Sequence, residues 1–284
     1  MMILVTGATG TVGSEAVRLL SASHQPTRAL VRDPSRVAHR DGLTDEIEIV
    51  TGDFGRPDTL DTALDGIDTV ILVSPAVPGQ EIAVIDSAVR QGVSHIVKIT
   101  SKASADSPVD RRRGQARIEA HLEAAGLAYT LLRSNAYLQN LFALAPMIQQ
   151  TQGFTMSAGE GQIGMIDARD VAAAATAVAT APDAHAGHTY WLTGPDLITY
   201  TDIAKQLSAA LGHEVEYRRI RPDEHRAVMI RAGVPDAVAT SNAQAFELIA
   251  EGDAAWLTSD VATLTGTAPR SLHTFITEHT AAFA

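Results

Sequence analysis

The sequence predicts an α/β fold, a doubly wound parallel sheet followed by a smaller, mainly helical C-terminal lobe. Three observations predict it. Short β-branched runs alternate with helical patterns through the first half of the 284 residues. Two of those runs, 69–73 and 95–99, are nearly continuous in apolar residues, as strands covered on both faces require. Glycines at 7, 10 and 13 follow the first run and open a helical pattern, a junction suited to holding phosphate groups.

Taken in order, Ile3-Leu4-Val5 is the first strand, and Val12, Ala16, Val17, Leu19 and Leu20 mark one face of the helix after it. Residues 27–31 form the second strand, stopped by Asp33-Pro34-Ser35. Residues 46–50 alternate with period two and read as a third strand near an edge. The runs 69–73, 95–99 and 128–132 supply three more strands. Helices at 57–64, 80–90 and 112–125 separate them, the last ended by Gly126. Such alternation makes a parallel sheet with helices on both faces, and its ligands bind at the carboxyl ends of the strands. From about residue 150 the elements shorten to 154–156, 163–166 and 188–192, and helices then dominate. Asp170 is placed to cap the helix through Ala181, and Thr199 the one through Leu211. The last helix, 272–279, is expected to return for packing.

Composition narrows the function. With 45% hydrophobic and 19% charged residues the chain can fill an ordinary core. A formal net charge of −11 makes nucleic acid and membrane surfaces poor partners, because both are anionic. The absence of cysteine excludes disulfides, thiolate metal sites and thiol nucleophiles. Ile3-Leu4-Val5 runs directly into the glycine turn, so no leader is expected, and no apolar run reaches the roughly 18 residues that span a bilayer. A cytoplasmic location follows as an expectation. His121 and Glu123, two apart on a helix, point to different faces, and the other histidines lack ligand spacing, so no metal is expected. No GxSxG surrounds any serine.

The glycine turn carries the first functional reading. Gly7, Gly10 and Gly13 lie between strand and helix, where Thr9, Thr11 and Val12 offer amides to a pyrophosphate. The chain is therefore expected to bind a nicotinamide dinucleotide on a Rossmann-type sheet. The second strand ends Val31-Arg32-Asp33; Arg32 suits a 2′-phosphate, while Pro34 assigns Asp33 to the turn. NADP(H) is accordingly preferred, with NAD(H) as the alternative. Asp53 and the backbone of Phe54 are placed to meet adenine, Ser74 and Pro75 to pass the ribose, and Thr100 and Ser101 to flank the nicotinamide.

These features resemble the NmrA-like group of atypical short-chain dehydrogenases/reductases, and within it the branch of type 2 NAD(P)H:quinone oxidoreductases and triphenylmethane reductases. The resemblance rests on Val5-Thr6-Gly7-Ala8-Thr9-Gly10, Val31-Arg32, Gly52-Asp53-Phe54 and Tyr129-Thr130-Leu131-Leu132-Arg133. It continues through Asn135, Tyr137, Asn140, the block 167–172 and Tyr190-Trp191-Leu192-Thr193-Gly194. It implies an NAD(P)-binding Rossmann domain at 1–150 and a substrate-covering lobe at 151–284, with some strands and helices returning to the first domain. Asn135 joins the cofactor-binding set on the same ground.

Where other reductases of this fold carry Tyr-x-x-x-Lys, this helix reads Gln115-Ala116-Arg117-Ile118-Glu119. An isolated ketone needs a positioned proton donor, worth roughly 10²–10⁴ in rate. A reduced quinone is a phenolate with a conjugate acid near ~10 and leaves with little acid help. The site therefore suits quinones, dyes or other conjugated aromatics, with Gln115 orienting an oxygen and Tyr137 and Asn140 lining the pocket. Gln115 and Tyr137 are the catalytic candidates. Arg111-Arg112-Arg113 reads as a solvated helix start, with recruitment of an acidic substrate as the alternative. A small aromatic or quinone substrate and a homodimer are the expected partners. Two rival readings share the missing pair: a non-catalytic NAD(P)-sensing regulator, and a tailoring reductase or isomerase of aromatic natural products.

Overall fold

β-Branched and leucine residues build the strands at the centre of the chain, and glycines close the turns between them. In the computed structural model, which describes residues 1–36, 47–75 and 77–284, the first half runs β1 (Ile3–Val5), α1 (Thr11–Ala22), β2 (Thr27–Val31), β3 (Ile47–Thr51), α2 (Pro57–Leu64) and β4 (Thr69–Leu72). It continues through α3 (Pro78–Arg90), β5 (His95–Thr100), α4 (Asp110–Ala124) and β6 (Ala128–Ser134). Every strand expected there is present; Glu46, assigned to the third, lies outside the described residues.

The second half holds α5 (Ala145–Thr151), β7 (Gly153–Met156), α6 (Ala168–Thr180), β8 (Thr189–Leu192), α7 (Tyr200–Leu211) and β9 (Glu216–Arg219). Four helices end it: α8 (Pro222–Arg231), α9 (Asp236–Ala250), α10 (Asp260–Thr265) and α11 (Leu272–His279). The main sheet has seven parallel strands in the order β3-β2-β1-β4-β5-β6-β8. Strand order reverses beside β1, whose Val5 pairs with Ala29 of β2 and Ile71 of β4. The crevice for a ligand therefore opens above β1 and β4. β3 lies at one edge, and its Ile49 is partly exposed.

Two apolar layers cover the sheet. On one face α1 and α6 pack together, and Ala168, Ala172, Ala175 and Ala179 let the helices approach closely. On the other, Leu60, Leu64, Val84, Ile85, Ile118 and Leu122 of α2, α3 and α4 meet Leu4, Val70, Leu72 and Ile96. A separate core joins Leu138, Leu141 and Ile148 to Phe154, Ile203, Leu207, Phe275 and Phe283.

The run 188–192 returns to the first domain as β8, the sheet's far edge, because its backbone pairs with β6 from Leu131↔Thr189 to Ser134↔Leu192. Other second-half expectations change. Residues 163–166 form only isolated bridges, Ile163↔Ile198 and Tyr137↔Ile166, while β7 finds an unforeseen partner in β9. Asp167, not Asp170, caps α6 by accepting from Arg169 N at 2.9 Å. Asp170 sits in the first turn and accepts from Arg270 N at 2.7 Å. Thr199 caps α7 as expected, in a capping box with Asp202. The last helix packs on α7 in the separate core, where Phe275 lies 5.3 Å from Phe142. Among the described residues no helix is long and apolar enough to cross a membrane, and no cluster of metal-ligating side chains forms.

Candidate active site

A cavity of about 710 Å³ lies over the carboxyl ends of the central strands. Its floor is the turn after β1. Gly7 has φ +57°, and a Cβ there would come within 2.8 Å of Val73 O. A Cβ on Gly13 would come within 2.3 Å of Gly7 O, so helix and turn touch only because the side chain is missing. Thr6 locks this turn to the next strand, donating from Oγ1 to Val73 O at 2.7 Å and accepting from Val73 N at 2.8 Å. α1 begins without a side-chain cap, and Gly10, Thr11 and Val12 at its start line the cavity. Uncapped amides at a helix N-terminus are an anion site.

Beyond β2, Arg32 lines the cavity and pairs with no carboxylate among the described residues. Asp33 belongs to the turn, accepting at Oδ1 from Ser35 N (3.0 Å) and Ser35 Oγ (2.7 Å). Asp53 also spends one oxygen locally, accepting from Gly55 N at 2.8 Å, while Phe54 packs beneath. Beyond β4, Ser74 and Pro75 line the wall, and Ser74 donates to the fully buried Glu81. Glu81 pairs with the equally buried Lys98 at 2.9 Å, a sealed ion pair under the floor.

The chemistry-bearing wall lies beyond β5 and β6. Thr100 Oγ1 donates to Glu119 Oε1 at 2.7 Å and lies 3.0 Å from the Gln115 amide, and Gln115 lines the cavity. Glu119 holds Arg133, whose guanidinium lies 5.1 Å from the Trp191 ring centre. Trp191 meets Trp256 edge to face at 5.2 Å. Ser101 Oγ is buried without a hydrogen-bond partner beside this wall. Tyr137 accepts from Ser134 Oγ at 3.3 Å; burial pushes its phenol above the ordinary value, against a smaller lowering by Ser134. Asn140 lies at the rim. Asn135 lines the cavity but spends its amide on Ala254 O (3.1 Å) and Ala136 N (2.8 Å).

The structure thus brings Gly7, Gly10, Arg32, Asp53, Thr100, Ser101, Gln115, Asn135, Tyr137 and Asn140 to one cavity. The donor set fits a nicotinamide dinucleotide: glycine backbone and bare helix amides for the pyrophosphate, Arg32 for a 2′-phosphate, and the orphaned Ser101 hydroxyl for a polar ring substituent.

Residues 1–267 match the NmrA-like family. The chain belongs to that family. It is 36% identical over 286 residues to an NAD(P)H azoreductase of Xenophilus azovorans, covering 99% of each chain. It is 35% identical over 290 residues to a (4-alkanoyl-5-oxo-2,5-dihydrofuran-3-yl)methyl phosphate reductase of Streptomyces griseus, covering 100% of this chain and 99% of the relative. Among solved structures it resembles an NADPH-dependent quinone oxidoreductase of Escherichia coli complexed with NADPH. That pair shares 28% identity and a TM-score of 0.88, covering 98% of this chain and 99% of the other.

The NmrA-like sheet is roofed by residues the sequence did not reveal. Ala245 and Ile249 of α9, with Ala254 and Trp256 after it, close the cavity from above. Asp253 fixes this segment, accepting from Lys102 Nζ and from Arg112, each at 2.6 Å. Burial raises the Asp253 carboxyl, but the hydrogen bonds from Arg112 and Lys102 outweigh it and leave the group below its ordinary value. Arg111 and Arg112 therefore line the site from the first turn of α4, where Arg111 remains exposed to solvent as the sequence suggests and Arg112 is half-buried. Helical spacing carried that signal, since residues three and four before Gln115 share its face. Nothing local marks residues 245–256, which reach the site only through folding.

Proposed function

We propose that the protein is an NADPH-dependent reductase of quinones and related conjugated acceptors. The observation that carries this reading is the cavity's acceptor end: Gln115, Tyr137 and Trp256 surround it without a Tyr-Lys proton-donating pair. When bound, NADPH supplies a hydride. The glycine turn and α1 would hold its pyrophosphate, Arg32 would meet the 2′-phosphate, and Thr100 and Ser101 would flank its nicotinamide.

The remaining residues position the acceptor. The Gln115 amide, braced by Thr100 and Glu119, donates a hydrogen bond to the acceptor oxygen, and the protonated Tyr137 phenol can donate a second. Trp256, Ile163 and Ile249 exclude water around a flat ring. The quinone takes the hydride and one proton from water and leaves as the hydroquinone; its phenolic oxygen needs no stronger acid on the protein. Relatives support this chemistry from three directions, since their names specify a quinone, an azo and an oxo-dihydrofuran reductase. Conjugation is what those acceptors share.

The test follows the near-ultraviolet absorbance of reduced nicotinamide with a panel of quinones and azo compounds. Saturable NADPH oxidation dependent on the acceptor is expected. An inert panel with intact NADPH binding would overturn the reading.

A further inference from the structure

We propose that the acceptor end of the cavity is built for an aromatic carrying an anionic substituent, such as a sulfonate or carboxylate, and that Arg111 recognises that group. The proposal rests on the reductase reading and names its substrate class.

Charge inside the cavity runs opposite to charge on the chain. The protein carries a formal −11, yet Arg32, Lys102, Arg111 and Arg112 line the cavity against a single acidic residue, Asp53. The cations form two separate groups. Arg32 and Asp53 stand beyond β2 and β3, where the 2′-phosphate is accounted for. The others stand at the opposite end, beneath the roof. There Lys102 and Arg112 share one carboxylate, Asp253, at 2.6 Å each. The neighbouring Asp110 is taken by Arg113 at 3.1 Å. Arg111 has no carboxylate partner among the described residues and still faces the cavity.

Its position fits an acceptor. Arg111 precedes Gln115 by four residues, so it lies about 6 Å further along the same face of α4. A ring held against the Gln115 amide therefore places a substituent one bond from the ring within reach of the guanidinium. Desolvation, and then Arg112, lowers the Arg111 pKa from its ordinary value, while the residue stays open to solvent and to an incoming ligand. The cofactor's anionic groups are already met by α1 and Arg32. An anion met by Arg111 would therefore belong to the second substrate.

The experiment measures binding of 1,4-naphthoquinone-2-sulfonate and of 2-methyl-1,4-naphthoquinone to NADP⁺-loaded protein, read by quenching of the fluorescence of Trp191 and Trp256. Arg111→Gln is expected to reduce the preference for the sulfonate by about tenfold, one charge-assisted contact, and Arg111→Lys to keep most of it. An unchanged ratio, including a loss shared equally by both quinones, would overturn the proposal. Binding here needs no turnover, so its failure is distinct from a failure to oxidise NADPH.

Discussion

The two ends of the cavity are made by different means. The floor over β1 and β2 is backbone: glycines at φ +57° or where a Cβ would come within 2.3 Å of a carbonyl oxygen, and bare amides at the start of α1. The acceptor end is side chain: Gln115, Tyr137 and Trp256, drawn from α4, the segment after β6 and the segment after α9, with Asp253 outside the lining holding Lys102 and Arg112. A backbone site is rigid and tolerates little, because a Cβ in the wrong place collides with main chain. A side-chain site can be retuned one residue at a time. The comparison teaches that cofactor binding is a property of the fold and acceptor choice a property of this sequence.

The largest break lies in the floor. Gly13→Val drives a Cβ toward Gly7 O and is expected to cost about 100-fold or more in NADPH affinity, measured by fluorescence titration beside a thermal melt. A well-folded variant with unchanged affinity would remove the turn from the cofactor site. Next is Arg32→Glu, which exchanges a phosphate partner for a ribose partner. Preference should move from NADPH toward NADH by about 10- to 100-fold in the ratio of kcat/KM. An unmoved ratio would show that the 2′-phosphate sits elsewhere.

The roof sharpens the contrast. Asp253→Asn loosens both Lys102 and Arg112 and should raise the acceptor KM by about tenfold while NADPH affinity stays within experimental error. Equal effects on both ligands would mean that the two ends are not separable. The same carboxyl gives a pH dependence. Its folded pKa lies below the ordinary value, so its contribution is present at neutral pH and is lost as pH falls through that depressed value. Acid titration of acceptor affinity should therefore weaken only on the far acid side, and a transition near neutrality would assign the roof to another group.

The smallest effect is expected at Tyr137. Its phenol is held above the ordinary tyrosine value, so it donates a hydrogen bond and does not ionise near neutral pH. Tyr137→Phe should lower kcat by about threefold, the worth of a modest neutral hydrogen bond, without adding a limb to the pH profile. A large loss with an altered profile would make Tyr137 the proton donor.

How much of this was legible in the sequence divides along the same line. The parallel sheet was readable because buried strands are continuous apolar runs and the helices between them keep a 3.6-residue period. The floor was readable because Gly7, Gly10 and Gly13 have few other reasons to be so spaced at a strand end. Gln115 and Tyr137 could be found by position within the fold. Asp253 and Trp256 could not, since α9 is an ordinary helix whose packing over the cavity depends on contacts far apart in the chain. Asp167 and Asp170 are three residues apart, and only backbone geometry decides which one caps α6. β8 was visible as a short run, and strands returning to the first domain were expected, but its pairing with β6 was not legible, because a four-residue strand carries no record of its partner.

The central claim is that a backbone floor presents NADPH to an acceptor held by side chains, without a dedicated acid. Anaerobic single-turnover mixing of the NADPH-loaded protein with 2-methyl-1,4-naphthoquinone tests it most directly, with the transferable hydrogen of NADPH replaced by deuterium in a parallel run. The account predicts loss of reduced-nicotinamide absorbance that saturates with quinone and slows on deuteration. NADPH that stays reduced with this and every other acceptor, while NADPH and NADP⁺ bind with clearly different affinities, would contradict it and mark the protein as a cofactor sensor.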